Sequence, residues 1–161
     1  MSSHSGINSN AFSSSSGLLT QAKLIPIVSL TASATLSASQ SGSLVRCATA
    51  GGAIIVTLPA PSQGLNYKIC KSDASPNTVT VTATGTLLYG SLIANGTVIT
   101  NVNQSAQFLT NCQGKTSIVT PAVDCTGSFV DLVSDGVRWY CTGCASLADA
   151  LAVGTGMWAT A

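Results

Sequence analysis

Six cysteines, Cys47, Cys70, Cys112, Cys125, Cys141 and Cys144, carry most of the chemistry this sequence offers. Thiols in such number pair as disulfides, ligate zinc, or pack as small apolar side chains. An even count in a short β-rich chain favours disulfides formed in an oxidising setting. Cys112 and Cys125 bracket a short loop, and a bridge between them would contribute up to ~3 kcal/mol in the chain-entropy description. The pairing of the other four stays open, and Cys47 and Cys70 also fit as buried free thiols. Cys141-Thr-Gly-Cys144 has the spacing of half a zinc site, but a zinc ribbon needs a second tight knuckle and the sequence has none. No metal and no cofactor are expected.

Catalysis is disfavoured by what is missing. His4 is the single histidine and it sits in a Ser-rich stretch; all five acids are Asp. A thiol or hydroxyl becomes a useful nucleophile only beside a base, so the expectation is a protein that is not an enzyme. Other groupings carry weaker signals. Trp139 and Tyr140 offer a glycan-stacking surface, although strand alternation puts Trp139 with Val137 on an inward face and core packing is the better reading. Arg46, Lys68 and Lys71 with Asp73 would suit an anion if they converged, but exposed solubilising charge explains them more simply. Asp124, Asp131 and Asp135 lack the spacing of a calcium loop. Asn95-Gly-Thr97 and Asn103-Gln-Ser105 have the form of glycosylation acceptors, which chance readily produces in a chain this rich in Asn, Ser and Thr.

The elements that position these residues follow from composition and period. The chain has 161 residues, a formal charge of +1, and only 7% charged residues, against ~25% in ordinary soluble domains. Helical bundles need Glu/Lys faces and nucleic-acid binders need a basic patch; both are excluded. Apolar stretches such as Leu24–Leu30 and Ala53–Leu58 are far short of the ~20 residues that span a bilayer, so neither nucleic acid nor membrane insertion is expected. No basic segment followed by an apolar one opens the chain, so no cleavable signal is expected either.

Residues 1–23 form a Ser-rich arm. Residues 24–144 read as one all-β domain, an antiparallel β-sandwich of jelly-roll type, because short β-branched runs alternate with turn residues. Strands are expected at Ile25–Thr31, Ser43–Ala48, Ala53–Leu58, Tyr67–Lys71, Thr78–Thr82, Thr97–Asn101, Ala106–Thr110, Ser117–Thr120, Phe129–Val133 and Val137–Thr142, with a weaker one in Thr31–Ser39. Asp135-Gly136 between two such runs predicts a tight hairpin. Pro59 and Gly64 end the strand Ala53–Leu58. Residues 145–161 form a tail whose Ser146–Val153 stretch is a short helix candidate, with Ser146 as N-cap. Met157 and Trp158, apolar residues in that tail, are candidate assembly contacts.

Four stretches together resemble a pattern of viral fibre and capsid-surface proteins: Ala53–Ala60 (a VTLP strand), Asn66–Asp73 (a Y-x-I-K-type strand), Asn77–Thr82 (a TVTV strand, followed by Gly85 and Gly90), and Phe129–Tyr140, with its SDG turn before Trp-Tyr. The resemblance implies a β-sandwich or jelly-roll-like head, commonly homotrimeric, on a phage tail or on the capsid of a large DNA virus. The segment 111–127 and the cysteine count depart from that pattern and turn the expectation toward a capsid-surface or minor capsid protein. A virion location also reconciles disulfides with the missing signal. The alternative reading is an adhesin or lectin-like head that binds host glycan. Low charge fits assembly, since a surface covered by neighbours does not need the ion pairs that keep free monomers apart.

Overall fold

The computed structural model describes residues 24–97, 105–120, 126–146 and 159–160. The arm 1–23 with His4, the residues Asn103, Asp124 and Cys125, and the pair Met157 and Trp158 lie outside the described residues. The strands are β1 (Ile27–Leu30), β2 (Ala34–Thr35), β3 (Ser43–Cys47), β4 (Ile54–Leu58), β5 (Asn66–Lys71), β6 (Val79–Ala83), β7 (Leu88–Thr97), β8 (Ser105–Asn111), β9 (Ser117–Val119), β10 (Phe129–Ser134), β11 (Trp139–Ser146) and β12 (Ala159–Thr160). A 3-10 turn at Ala38–Gln40 is the one helical element among the described residues, and no helix there is long and apolar enough to cross a membrane.

The protein is thus nearly all β, and its sheets are mixed. A seven-stranded sheet runs β1-β3-β5-β10-β11-β7-β8, and a five-stranded sheet runs β12-β9-β6-β4-β2. From β1 to β6 the chain alternates between the two sheets. Each strand then lies parallel to the strand two before it: Leu44 beside Ile27, Tyr67 beside Ser43, Val56 beside Ala34 and Val79 beside Ile54. This is the winding of a flattened coil, one strand per sheet per turn. Antiparallel pairing, expected throughout, is confined to contacts of β10, β8, β9 and β12. Side-chain alternation could not distinguish the two, because its period is two in either direction.

The coil is interrupted at β7. That strand returns to the larger sheet, but the β10–β11 hairpin occupies the place beside β5, with β10 antiparallel to β5 and β11 parallel to β7. Sequence reading missed most of β7, because Gly90, Asn95 and Gly96 look like turn residues. Gly90 is needed for a different reason. Its φ is +142°, and a Cβ there would stand 1.9 Å from the carbonyl oxygen of Cys141. The strand β11 packs so close to β7 that only glycine fits.

The Asp-Gly hairpin forms, with a wider loop than expected. Ser134 pairs with Trp139, so Asp135–Arg138 is the connection. Gly136 takes φ +99°, and the Asp135 Oδ1 accepts the N–H groups of Val137 and Arg138 at 2.8 and 2.7 Å. Val137 therefore lies in the turn and is 70% exposed, not inward as alternation suggested, while Trp139 and Cys141 do face inward. Ser146 is the last residue of β11 rather than a helix cap; residues 147–153 are outside the described residues.

Inward side chains of both sheets form one hydrophobic cluster. Val45, Ile69, Leu92 and Leu132 come from the larger sheet, and Ile54, Val56, Val81 and Ile118 from the smaller. Each such burial stabilises by ~1.5–3 kcal/mol. Trp139 and Tyr67 anchor one end with ring centroids 5.8 Å apart and tilted by 43°. The Tyr67 hydroxyl, inside an apolar core, is satisfied by donating to the Ser37 carbonyl at 2.8 Å.

Candidate functional site on the outer face of the larger sheet

Strand register converts separate sequence segments into rows across the outer face. One row runs Ile27, Leu44, Lys68, Asp131, Thr142, Ser91. The next runs Asn66, Val133, Tyr140, Tyr89. A third runs Ser29, Arg46, Cys70, Phe129, Cys144, Ile93. Two features stand out on this face.

The first is an apolar groove of ≈ 560 Å³ at the β1 edge, walled by Ile25, Ile27, Leu44 and Val133 over Lys68 and Asp131. Lys68 Nζ meets Asp131 Oδ2 at 3.4 Å, with both side chains nearly half exposed, and lies 4.1 Å from the Phe129 ring centroid. An ion pair so wet contributes at most about 1 kcal/mol; what it does here is give the groove floor a polar end. The wall is open to solvent: Ile25 is 68% and Ile27 64% exposed, and Leu24, next to Ile25 in sequence, 83%.

The second is a ring cluster at the hairpin end. Tyr89 and Tyr140 lie 6.4 Å apart, and the Arg138 guanidinium sits 5.0 Å over the Tyr89 ring. The Tyr140 hydroxyl donates to Asp135 Oδ2 at 3.0 Å. The N–H groups of Val137 and Arg138, with Tyr140, hold the Asp135 carboxyl below the usual range. Tyr140 is thus the outward aromatic of the Trp139–Tyr140 pair, and its true neighbour is Tyr89, which the sequence did not single out.

The expected basic cluster is split. Arg46 and Lys68 both face outward around Cys70, where their charges pull the thiol down against the larger upward push of burial. Lys71 turns inward, is 2% exposed, and donates from Nζ to the Ser75 carbonyl. Solubilising charge was the wrong reading for this residue. Its loop is held by Asp73. Burial pushes that carboxyl up, but the Thr49 hydroxyl at 2.8 Å, the Ala50 N–H at 2.7 Å and the Lys71 charge outweigh it, and the group ends below its ordinary value. Asp131 is paired with Lys68 and Asp135 is fixed in its turn.

Among the described cysteines, Cys47, Cys70, Cys112, Cys141 and Cys144, no pair stands at disulfide distance, so the structure lends the expected bridges no support. Alternation along β11 turns Cys141 into the core and Cys144 to the outer face, so the Cys-x-x-Cys spacing is not a bridge or a metal knuckle. No group of three or more His, Cys, Asp or Glu among the described residues is placed to hold a metal ion. Burial pushes the Cys112 and Cys141 thiols up. The expected partner of Cys112, Cys125, lies outside the described residues. Comparison with protein-family models and with the sequences of curated proteins gives no match.

Proposed function

We propose that this chain is a structural subunit of a virion, a minor capsid, capsid-surface or fibre-head component that acts by assembling into a homo-oligomer and performs no catalysis. The observation that carries the assembly reading is the β1 edge. β1 closes the larger sheet on one side, so its outer backbone N–H and C=O groups are a template for another strand. Free monomers blunt such an edge with charge or shield it with a loop. Here no charged residue occurs from Leu24 to Val45, and Leu24, Ile25 and Ile27 stand in solvent above an apolar groove. That combination favours burial by a neighbour.

The viral part of the proposal rests on the resemblance of the strand motifs, and it includes a homotrimeric state and a sandwich head with a jelly-roll-like outline. The arm 1–23, Met157 and Trp158 supply further contacts to neighbouring copies or other capsid proteins in this reading. Sedimentation of the full chain tests it: the unmodified protein should run as a stable oligomer, a trimer in the favoured case, and Ile27→Lys should run as a folded monomer. A monomeric unmodified chain sinks the reading, and so does an unchanged oligomer carrying the lysine.

A second reading, a head that binds host glycan, is favoured by Tyr140, which is 45% exposed and is flanked by Tyr89, Arg138 and Asp135. Exposed rings beside hydrogen-bonding groups suit the apolar face and hydroxyls of a sugar. A glycan array that is silent for the unmodified protein, or unchanged by Tyr140→Ala, counts against it.

A further inference from the structure

The loop that joins β10 to β11 is held from several sides. Besides the two N–H groups on Asp135 Oδ1, the Gly136 N–H donates to the Ser134 hydroxyl at 3.1 Å. The Thr86 hydroxyl donates to the Val137 carbonyl, also at 3.1 Å, and ties the loop to the segment before β7. Arg138 ends this loop and is exposed. Its backbone N–H is committed to Asp135, but its guanidinium makes no hydrogen bond or ion pair among the described residues. It rests 5.0 Å from the centre of the Tyr89 ring, so its five N–H donors, a fork that fits a carboxylate, stay available to an outside acceptor. The same Tyr89 ring lies 6.4 Å from that of Tyr140, which is 45% exposed and whose hydroxyl is committed to Asp135. Asp135 is the acid whose charge reaches Arg138, and its two oxygens already accept three bonds from the loop and Tyr140. A restrained cation and an open ring therefore share one support.

We propose that Arg138, Tyr89 and Tyr140 form a site for a sugar that carries a carboxylate on its ring, with the carboxylate on the Arg138 fork and an apolar face of the ring on Tyr140. The inference rests on the glycan-binding reading and names the class of sugar within it. A neutral sugar leaves the Arg138 donors idle, and a bare anion leaves the Tyr140 ring idle. A ligand with both parts uses both, and a charge-assisted bond to carboxylate is the stronger of the two contributions. Tyr89 touches no ligand in this arrangement; it is a positioning residue that holds Arg138 and Tyr140 at a fixed separation before binding, which lowers the ordering cost. Hexuronic acids and sialic acids share this chemistry.

The isotope-labelled full chain is titrated at low salt with glucuronic acid, N-acetylneuraminic acid, glucose and acetate, and followed by NMR. At least one acidic sugar should move the Arg138 and Tyr140 amide signals and bind about tenfold more tightly than glucose or acetate; the better of the two identifies the source. Added salt should weaken that binding and leave glucose unchanged. Arg138→Gln should bring the acidic sugar down to the level of glucose, and Tyr140→Ala down to that of acetate. Tyr89→Ala should weaken the acidic sugar and broaden the Arg138 side-chain signal, which a merely structural loss elsewhere would not do. Glucose bound as tightly as the acidic sugars overturns the inference and leaves the glycan reading standing. Acetate bound as tightly as they are, or shifts that fall away from the hairpin, also overturn it. Silence with every sugar overturns both. The comparison of the four probes on the unmodified protein decides the matter even where a variant fails to fold.

Discussion

The coil from β1 to β6 and the interleaved half from β7 to β12 solve the same packing problem in opposite ways. In the coil each strand finds its partner one winding away, and successive windings repeat one rule: alternate sheets, stay parallel, point every second side chain inward. In the second half the hairpin β10–β11 inserts between β5 and β7, strands run both ways, and the fit relies on Gly90 where two backbones nearly touch. A repeated rule tolerates local change, because every strand is like its neighbours. A single interlocked joint does not, and that difference orders the expected consequences of perturbing each half.

The largest contrast should come from one methyl group. Gly90→Ala places a Cβ 1.9 Å from the Cys141 carbonyl oxygen, at a φ of +142° that alanine rarely adopts. Neither strand can retreat without breaking the β7–β11 ladder, so a loss of about 4 kcal/mol or more is expected. In the coil, Ile55→Ala removes a much larger group from the outer face of β4, where Ile55 is about half exposed, and should cost about 1 kcal/mol or less. Denaturant midpoints of the two variants measure the difference. Equal losses would mean that the joint is no more constrained than the coil.

Alkaline pH probes both halves through their buried thiols. In the coil, burial first, then Cys70 and Asp73, push the Cys47 thiol from 9.0 up to about 12. Burial also pushes up Cys141 in the interleaved half, helped by Cys112. A thiol whose folded value is raised keeps its contribution below the unfolded value of 9.0, and that contribution drains away as pH climbs toward about 12. For Cys47 the loss should reach roughly 2–3 kcal/mol by about pH 11, read from urea midpoints across that range. Cys47→Ala should flatten this limb by its own share and Cys141→Ala by a separate one. If Cys47→Ala leaves the slope untouched, the thiol is not sealed as its place in the core requires.

Strand positions were legible in both halves. Strands β3, β4, β5, β6, β8, β9 and β10 lie within a residue or two of where period and turn residues put them, and the Pro59–Gly64 stop holds. Their parallel partners were illegible, since alternation records which way a side chain points and not which way its neighbour runs. The buried Lys71 was misread because a cation is ordinarily outside; only the fold of residues 72–77 over its amine explains it. In the second half the misses have tertiary causes. Gly90 serves a close approach of two backbones, and Tyr89 gains its meaning from Tyr140, which lies far off in sequence. Contacts set by an inserted hairpin leave no local period to read.

The smallest expected effect compares two aspartates that do similar work in different halves. Asp73 accepts from Thr49 and Ala50 across one winding of the coil. Asp135 accepts from Val137, Arg138 and Tyr140 within its own hairpin loop. Both carboxyls sit below their ordinary 3.8. A depressed folded value means that each contributes stability above the unfolded value and loses it as pH falls through the lower folded one. Asn at either site keeps an acceptor oxygen and removes the charge, so Asp135→Asn and Asp73→Asn should each shave a little from the Tm near neutrality and weaken its dependence on acid below about pH 4. The coil aspartate joins segments far apart in sequence, whereas the hairpin aspartate organises four consecutive residues that the β10–β11 ladder already holds together. Asp73→Asn should therefore lower the Tm more than Asp135→Asn. The reverse order would show that the hairpin loop, rather than the ladder it closes, is what seats the inserted strands between β5 and β7.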